Sequence, residues 1–280
     1  MNKIIIIVIL FCSFLFAQEK DINKQLLSAL QDCEFEEVKR LVSLGADVNY
    51  KGNNGATPLT YALIGPNLNY EMTIYLINNG AKINNYTNGE RTPLMIAVHS
   101  LPNIKTVNLL LEKTENVNIT NEFGENALLI ACDGYYPHYQ SGYTSIVKEL
   151  INRGSKLDLV STEFNRNGYT ALLLAAKNGY DKILIDLINA GADINVKNKE
   201  GKNALIIAVE NSVYTENKNE YDYIETIKIL ISKIQNINEK DNFGNTALNI
   251  IENNINTTSD EDNKNFFSTI KTILINSGAK

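Results

Sequence analysis

The 280-residue chain contains no tryptophan, only three cysteines and only two histidines. So few cysteines and histidines leave little material for a metal site built on those ligands. Basic residues are also outnumbered, with 26 Lys and Arg against 32 Asp and Glu, a formal net charge of −6 and a pI near 5.1. Because phosphate binding needs a concentration of basic side chains, the composition argues against nucleic acid as the main partner.

Signatures of catalysis are missing as well. The sequence has no glycine-rich phosphate loop, no Gly-x-Ser-x-Gly, no His-Glu-x-x-His and no Cys-x-x-Cys. The two histidines, His99 and His138, flank Cys132, but no fourth ligand is evident in the sequence. We therefore expect neither an enzyme nor a metal or cofactor site.

What the chain does contain is an ordinary apolar fraction of 44%, typical of a folded soluble protein. It is also rich in Asn, Ile, Lys and Tyr. That bias fits translation from an AT-rich genome and indicates a bacterial source.

The N-terminus has the pattern of a secretory signal peptide. Lys3 supplies one positive charge, residues 4–16 carry no charge, and the small Ala17 follows. Cleavage after Ala17 would remove residues 1–17 and leave 25 basic and 32 acidic groups, a net charge of −7. We expect an exported protein, periplasmic or secreted, with no membrane span after cleavage.

Two other interpretations of this segment are an uncleaved membrane anchor and a lipoprotein. Thirteen helical residues span about 20 Å, short of the roughly 30 Å hydrocarbon core, which disfavours the anchor. A lipoprotein would use Cys12, but the bulky Phe11 precedes it and apolar residues continue after it.

The rest of the chain repeats one unit. Residues 168–195 carry Thr-Ala-Leu at residues 170–172 and end in Gly-Ala-Asp-Ile-Asn, and both patterns recur along the chain. The openings follow a Thr or Asn that suits a helix N-cap: Thr57, Thr92, Asn126, Thr170, Asn203 and Thr246. The endings place a glycine where a left-handed C-cap would end a second helix: Gly45, Gly80, Gly154, Gly191 and Gly278.

These residues resemble the ankyrin repeat over essentially the whole of residues 22–280. The resemblance implies an all-α repeat solenoid, in which each unit has two antiparallel helices and a projecting β-hairpin finger. One departure is that the family's usual Thr-Pro-Leu-His histidine is absent from every unit, so the Thr–His hydrogen bonds are missing. The residues in its place are Thr60, Met95, Leu129, Leu173, Ile206 and Asn249.

We predict seven repeats in an ankyrin-repeat domain of residues 18–280, at about 22–53, 54–88, 89–122, 123–166, 167–199, 200–242 and 243–280. Cys33 falls in the first repeat and Cys132 in the fourth. Helix layers stand about 8–10 Å apart, whereas a disulfide needs Cα atoms within about 7 Å. We therefore predict no disulfide between Cys33 and Cys132.

Several repeats are longer than the regular unit. From Leu172 to Gly191 the chain advances 19 residues, but from Leu128 to Gly154 it advances 26 and from Leu248 to Gly278 it advances 30. The excess falls between the two helices of a repeat, in residues 133–144, 210–225 and 252–265. Only residues 159–166 hold an insertion in a finger. Insertions confined to one edge commonly mark a binding surface.

Two surfaces are therefore candidates for partner binding. The insertion edge is rich in tyrosine, a residue favoured in interfaces: Tyr135, Tyr136, Tyr139, Tyr143, Tyr214, Tyr221 and Tyr223. The concave finger face, which the family resemblance implies, would use Phe123, Arg166, Tyr169, Glu200 and Phe243. Two simpler interpretations stay open, namely drift in surface loops and phenylalanines that fold back onto a neighbouring finger.

The leading hypothesis is an exported, non-catalytic ankyrin-repeat scaffold that binds another protein through the concave finger face, the insertion-loop edge, or both. The alternative is a small-ligand or calcium-binding accessory protein that uses the insertion loops. The acidic cluster at residues 259–262 would be the place for calcium, although such a cluster is more often a solvated loop.

Overall fold

A computed structural model describes residues 22–53, 55–64, 70–84, 91–100, 103–134, 140–212 and 220–280. The regular secondary structure in these ranges consists of α-helices and one short 3-10 helix at Phe164–Arg166, and the ranges contain no β-strand. The predicted signal peptide, residues 1–17, lies outside them. Within the same ranges, no helix is both long and apolar enough to cross a membrane.

The helices come in pairs, and each pair corresponds to one predicted repeat. The first helices of the pairs are α1 (22–31), α3 (Pro58–Leu63), α5 (Pro93–His99), α7 (Ala127–Asp133), α9 (Ala171–Lys177), α11 (Ala204–Asn211) and α13 (Ala247–Thr257). The second helices are α2 (Phe35–Ser43), α4 (Tyr70–Asn78), α6 (Ile104–Lys113), α8 (Gln140–Asn152), α10 (Asp181–Asn189), α12 (Glu220–Lys233) and α14 (Glu261–Asn276).

The chain divides into two compact units, one up to Glu115 and one from Asn116 to Lys280. In the first unit α3 packs on α4 and α5, and α6 packs on α4 and α5. Its core holds Leu26, Leu41, Leu59, Leu76 and Met95, none more than 1% exposed. The Phe35 and Tyr75 rings meet edge to face at 5.8 Å within this unit.

The second unit, which carries the candidate site, is built of two helix layers. The first helices α7, α9, α11 and α13 pack in sequence, and so do the second helices α8, α10, α12 and α14. Leucines at equivalent places in the second helices fill the space between the layers: Leu150, Leu187, Leu230 and Leu274, all 0% exposed.

The predicted helix caps are confirmed. The Thr or Asn before each first helix from α3 to α13 accepts a hydrogen bond from the backbone N–H three residues later. The five predicted C-cap glycines all have φ between +79° and +98°. In two repeats the hydroxyl of the capping Thr bonds to the side chain at the histidine position, since Thr246 Oγ1 donates to Asn249 Oδ1 at 3.0 Å and Thr57 Oγ1 lies 3.1 Å from Thr60 Oγ1.

The asparagine that ends the repeat motif joins neighbouring repeats. Asn118 donates from Nδ2 to the Gly154 carbonyl at 3.0 Å and accepts from the Lys156 N–H at 2.7 Å. Asn49 makes the same pair of bonds in the first unit, to Gly80 and Lys82. Asp158 occupies this position in the fourth repeat, where it accepts from the Asp193 N–H at 3.3 Å.

The third long insertion is not a projecting loop, contrary to the sequence prediction. Its residues lengthen α13 and α14, leaving only residues 258–260 between them. The acidic cluster marks the start of α14, because Asp260 accepts from the Asn263 N–H at 2.9 Å and Glu261 pairs with Lys264 at 3.1 Å. Carboxylates at a helix N-terminus are stabilised by the helix dipole.

Candidate functional site

Three fingers of the second unit are tight turns, each braced by one side chain. In the turn 121–125, the Asn121 Oδ1 accepts hydrogen bonds from the N–H groups of Phe123 and Glu125 at 3.0 and 2.9 Å. Asn198 and Asp241 brace the turns 198–202 and 241–245 in the same way. The predicted hairpins therefore form as side-chain-braced turns and do not extend into strands in the described ranges.

Each of these fingers contacts the next one through its backbone. The Thr162 N–H donates to the Phe123 carbonyl at 2.9 Å, and the Asn242 N–H donates to the Glu200 carbonyl at 2.9 Å. Between the middle two fingers, a Cβ at Gly168 would stand 2.5 Å from the Lys199 nitrogen, so this close approach requires glycine. We call the resulting row of turns, 121–125, 161–169, 198–202 and 241–245, the finger surface.

Phenylalanines project from the finger surface into solvent. Phe243 is 75% exposed and Phe123 is 37% exposed, so Phe243 in particular does not fold back onto its neighbour. Phe164, which sequence reasoning did not select, is the most exposed of the large apolar side chains described, at 94%. The signal available was its place in the finger insertion predicted from the sequence, residues 159–166.

Arg166, a predicted partner contact, is instead held among carboxylates of its own chain. Its guanidinium contacts Glu163, lies 2.5 Å from Asp133 Oδ2 and stands 3.7 Å from Glu125 Oε1. Glu125 is 1% exposed, and it also accepts from Asn121 Nδ2 and Ser161 Oγ. The insertion 159–166 is thereby pinned onto helix α7.

A second ion cluster lies one repeat further along. Lys202 Nζ is 2.7 Å from both Glu200 Oε2 and Glu210 Oε1. Partial burial acts to lower the pKa of Lys202, but its bonds to Glu200 and Glu210 outweigh burial and leave the pKa raised. Tyr169 lies half-buried beside this cluster, and burial raises the pKa of its hydroxyl. Glu200 is exposed but already engaged with Lys202.

The structure describes only part of the predicted insertion edge. Two tyrosines that were predicted to lie on this edge are buried instead. Tyr143 lies in α8 and Tyr223 in α12, and both are 0% exposed, so the prediction that they project from loops is wrong. They stand seven residues before Leu150 and Leu230, as Tyr180 does before Leu187. Tyr135, Tyr136, Tyr139, Tyr214 and the Tyr221 side chain lie outside the described residues, as does His138.

The remaining features do not form a reaction centre in the described part of the chain. No group of three or more His, Cys, Asp or Glu side chains there is arranged to hold a metal ion. Neither Cys33, which is exposed, nor Cys132, which is buried, forms a disulfide. Burial, with a smaller contribution from Asp133, raises the pKa of the Cys132 thiol.

A shallow depression of about 460 Å³ precedes the finger insertion, lined by Ser155, Lys156, Leu157, Asp158 and Leu159.

Comparison with known proteins agrees with this architecture. The ankyrin-repeat family model (three copies) matches residues 26–121, 94–198 and 139–241. The ankyrin repeat protein YahD of Escherichia coli (strain K12) is 28% identical over 196 residues, which cover 68% of this chain and 91% of YahD. An ankyrin repeat-containing protein of Treponema pallidum (strain Nichols) is 32% identical over 107 residues, covering 38% of this chain and 33% of that protein.

Longer proteins match through a small part of their length. The human transient receptor potential cation channel subfamily A member 1 is 32% identical over 139 residues, which are 50% of this chain but 12% of the channel. Among solved structures, the ankyrin repeat domain of Bcl-3 covers 87% of this chain with a TM-score of 0.59 and 19% identity. That likeness concerns the fold, and with the repeated helix pairs, caps and fingers and the matched family model, the chain belongs to the ankyrin-repeat family.

Proposed function

We propose that this protein is an exported, non-catalytic scaffold that binds another protein through its finger surface. Ankyrin repeats generally mediate protein–protein interaction, and members of the family are typically scaffolds without catalytic activity. The observation that carries the proposal is the exposure of Phe164 and Phe243, at 94% and 75%, on turns that are braced by hydrogen bonds. Exposed aromatic side chains on a rigid support are typical of interface anchors.

The ion pairs of the finger surface favour aromatic anchors over the binding of a partner carboxylate. Arg166 and Lys202, two cations of the finger surface, are already paired with carboxylates of the same chain. A partner carboxylate would have to displace those ion pairs. Breaking a partly buried ion pair leaves an unpaired charge and is therefore strongly destabilising. The phenylalanines have no such internal competitor, and burying one phenylalanine is worth about 1.5–3 kcal/mol.

Export rests on the N-terminal sequence alone, where one lysine, an uncharged run at residues 4–16 and Ala17 follow in order. Export would place the finger surface in the periplasm or outside the cell.

The experiment is an affinity capture with the purified protein from extracts of the organism that encodes it, compared among three baits. The wild type is set beside Phe164→Ser/Phe243→Ser and beside Ile185→Ser, a control at a 39% exposed apolar residue on α10. We expect a specific protein that is retained by the wild type and the Ile185→Ser bait and lost from the double variant. Equal retention by all three baits would contradict a role for the finger surface.

A further inference from the structure

The finger insertion and the preceding finger together form an apolar patch with an acidic margin. Along residues 160–164 exposure alternates, since Val160, Thr162 and Phe164 are exposed whereas Ser161 is 0% exposed. The alternation places Val160 and Thr162 on the outer side, and Phe164, the first residue of the 3-10 helix, is exposed directly after them. Phe123 lies against this segment through the bond from Thr162. We call Phe123, Val160 and Phe164 the apolar patch.

Two observations show that the patch is fixed in place. Arg166 anchors one end of the insertion to Asp133 on α7 and to Glu125 in the preceding finger. The backbone at the other end lies against the neighbouring finger, where a Cβ on Gly124 would stand 3.1 Å from the Val160 carbonyl oxygen. A binding partner would therefore meet an ordered apolar surface and would not have to order it first.

The charged groups around the patch are predominantly acidic. Glu122, next to Phe123, and Asp158, two residues before Val160, are exposed, and neither forms an ion pair with another described residue. Glu163 is also acidic, and it is engaged by Arg166, whose own side chain is only 16% exposed. Lys156 is the exposed cation of this segment. The segments 121–125 and 156–169 therefore carry four carboxylates against two cations, namely Glu122, Glu125, Asp158 and Glu163 against Lys156 and Arg166.

We propose, building on the proposed function, that the apolar patch binds a protein segment in which a bulky apolar side chain is flanked by Lys or Arg. The apolar side chain packs against Phe164 and Val160, and the basic residues face Glu122 and Asp158. Such charge complementarity sets orientation and partner choice, while the apolar contact supplies most of the affinity.

The test is a selection of random peptides displayed on phage against the protein purified after expression of the full-length chain. Selected peptides are synthesised, and their affinity is measured by fluorescence anisotropy at low and high salt. We expect enrichment of Lys or Arg beside Leu, Phe, Trp or Met, and affinity that falls as salt rises.

Matched variants separate the two parts of the proposal. Phe164→Ser is expected to weaken binding at least about tenfold, because the lost burial exceeds one factor of ten in affinity. Glu122→Gln/Asp158→Asn is expected to weaken it roughly threefold, the scale of exposed charge pairs, and to flatten the salt dependence. The control, Glu112→Gln/Glu115→Gln, makes the same charge change at exposed residues of the other unit and is expected to leave affinity unchanged.

Two outcomes would overturn the inference. Selected peptides that are acidic or uncharged, or that bind Phe164→Ser as well as the wild type, would show that the patch does not recognise a basic apolar segment. Either result would leave the proposed function standing if the natural partner still depended on Phe164 or Phe243 in affinity capture, so the two proposals fail separately.

Discussion

The hydroxyl of Tyr223 donates a hydrogen bond to the carbonyl oxygen of Lys177, 2.7 Å away and one repeat earlier in the chain. The Tyr223 ring also lies over Gly179, where a Cβ would stand 3.1 Å from two ring carbons. Tyr180 covers Gly134 in the preceding repeat in the same manner. Tyr223 in α12 and Tyr180, the residue before α10, thus close the ends of the preceding first helices and join successive repeats.

Loss of this contact is expected to destabilise the second unit. Tyr223→Phe removes the donor to Lys177 and is expected to lower the free energy of unfolding by about 1 kcal/mol. Gly179→Ala adds a methyl group against the ring and is expected to cost about 1–3 kcal/mol more than Gly191→Ala. Gly191 is the matched control, because its φ is also left-handed at +98° but no atom lies within 4 Å of its added Cβ. Urea denaturation followed by circular dichroism measures the free energy of unfolding of each variant. An equal loss of that free energy in Gly179→Ala and Gly191→Ala would contradict the packing role of Tyr223.

Asp158 offers a way to stabilise the protein. Asn118 uses both amide atoms to join repeats, but the carboxylate of Asp158 has no N–H to donate to a carbonyl of the next repeat. Asp158→Asn is expected to raise the free energy of unfolding by about 0.5–1.5 kcal/mol, the value of one hydrogen bond. Asn118→Asp is the converse change and is expected to lower it. A thermal melt in which Asp158→Asn lies at or below the wild type would refute this account of the motif asparagine.

Arg166 is expected to act on stability before it acts on binding. Arg166→Ala would leave Glu125, which is 1% exposed, without its cation and is expected to cost about 2 kcal/mol or more. Arg153→Ala is the control, since its pair with Glu149 is a solvent-exposed i, i+4 contact worth about 0.5 kcal/mol or less. If chemical denaturation gave a similar small loss of unfolding free energy for Arg166→Ala and Arg153→Ala, Arg166 would be available to a partner, as predicted from the sequence.

Thiol chemistry tests both burial and processing of the chain. In the folded protein at pH 8, iodoacetamide is expected to modify the exposed Cys33 and to leave Cys132 intact, because only the thiolate reacts and burial raises the pKa of Cys132. After denaturation, mass spectrometry of the exported form is expected to show two modified cysteines and an N-terminus at Gln18. Three modified cysteines would mean that Cys12, and therefore residues 1–17, is retained.

Much of the fold was predictable because local chemistry repeats in register. The structure confirms the Thr or Asn caps before the first helices α3 to α13, which accept backbone hydrogen bonds, and the glycines after five second helices, which have positive φ. Residue counts located each insertion between two helices, but they could not show where the second helix begins. An alignment of the repeats on Leu150, Leu187 and Leu230 would have placed Tyr143 and Tyr223 at the position of Tyr180, which is in the core.

The candidate site was less predictable for a physical reason. The path of the four-residue finger insertion depends on contacts that are distant in sequence, above all those of Arg166 with Asp133 and Glu125. Without that path, the exposure of Phe164 could not be inferred, and Arg166 looked available to a partner. Phe243 was predictable because it occupies a regular turn position between Asp241 and Gly244.

Photo-cross-linking in the organism that encodes the protein is the most direct measurement of partner binding at the finger surface. A photoreactive phenylalanine analogue replaces Phe164, Phe243 or, as the control, Ile185 on α10, each with an exposed side chain. Irradiation is expected to join the same protein to positions 164 and 243 and to give no such adduct at position 185. An adduct at position 185 alone, or none at positions 164 and 243, would contradict the assignment of the finger surface as the binding site.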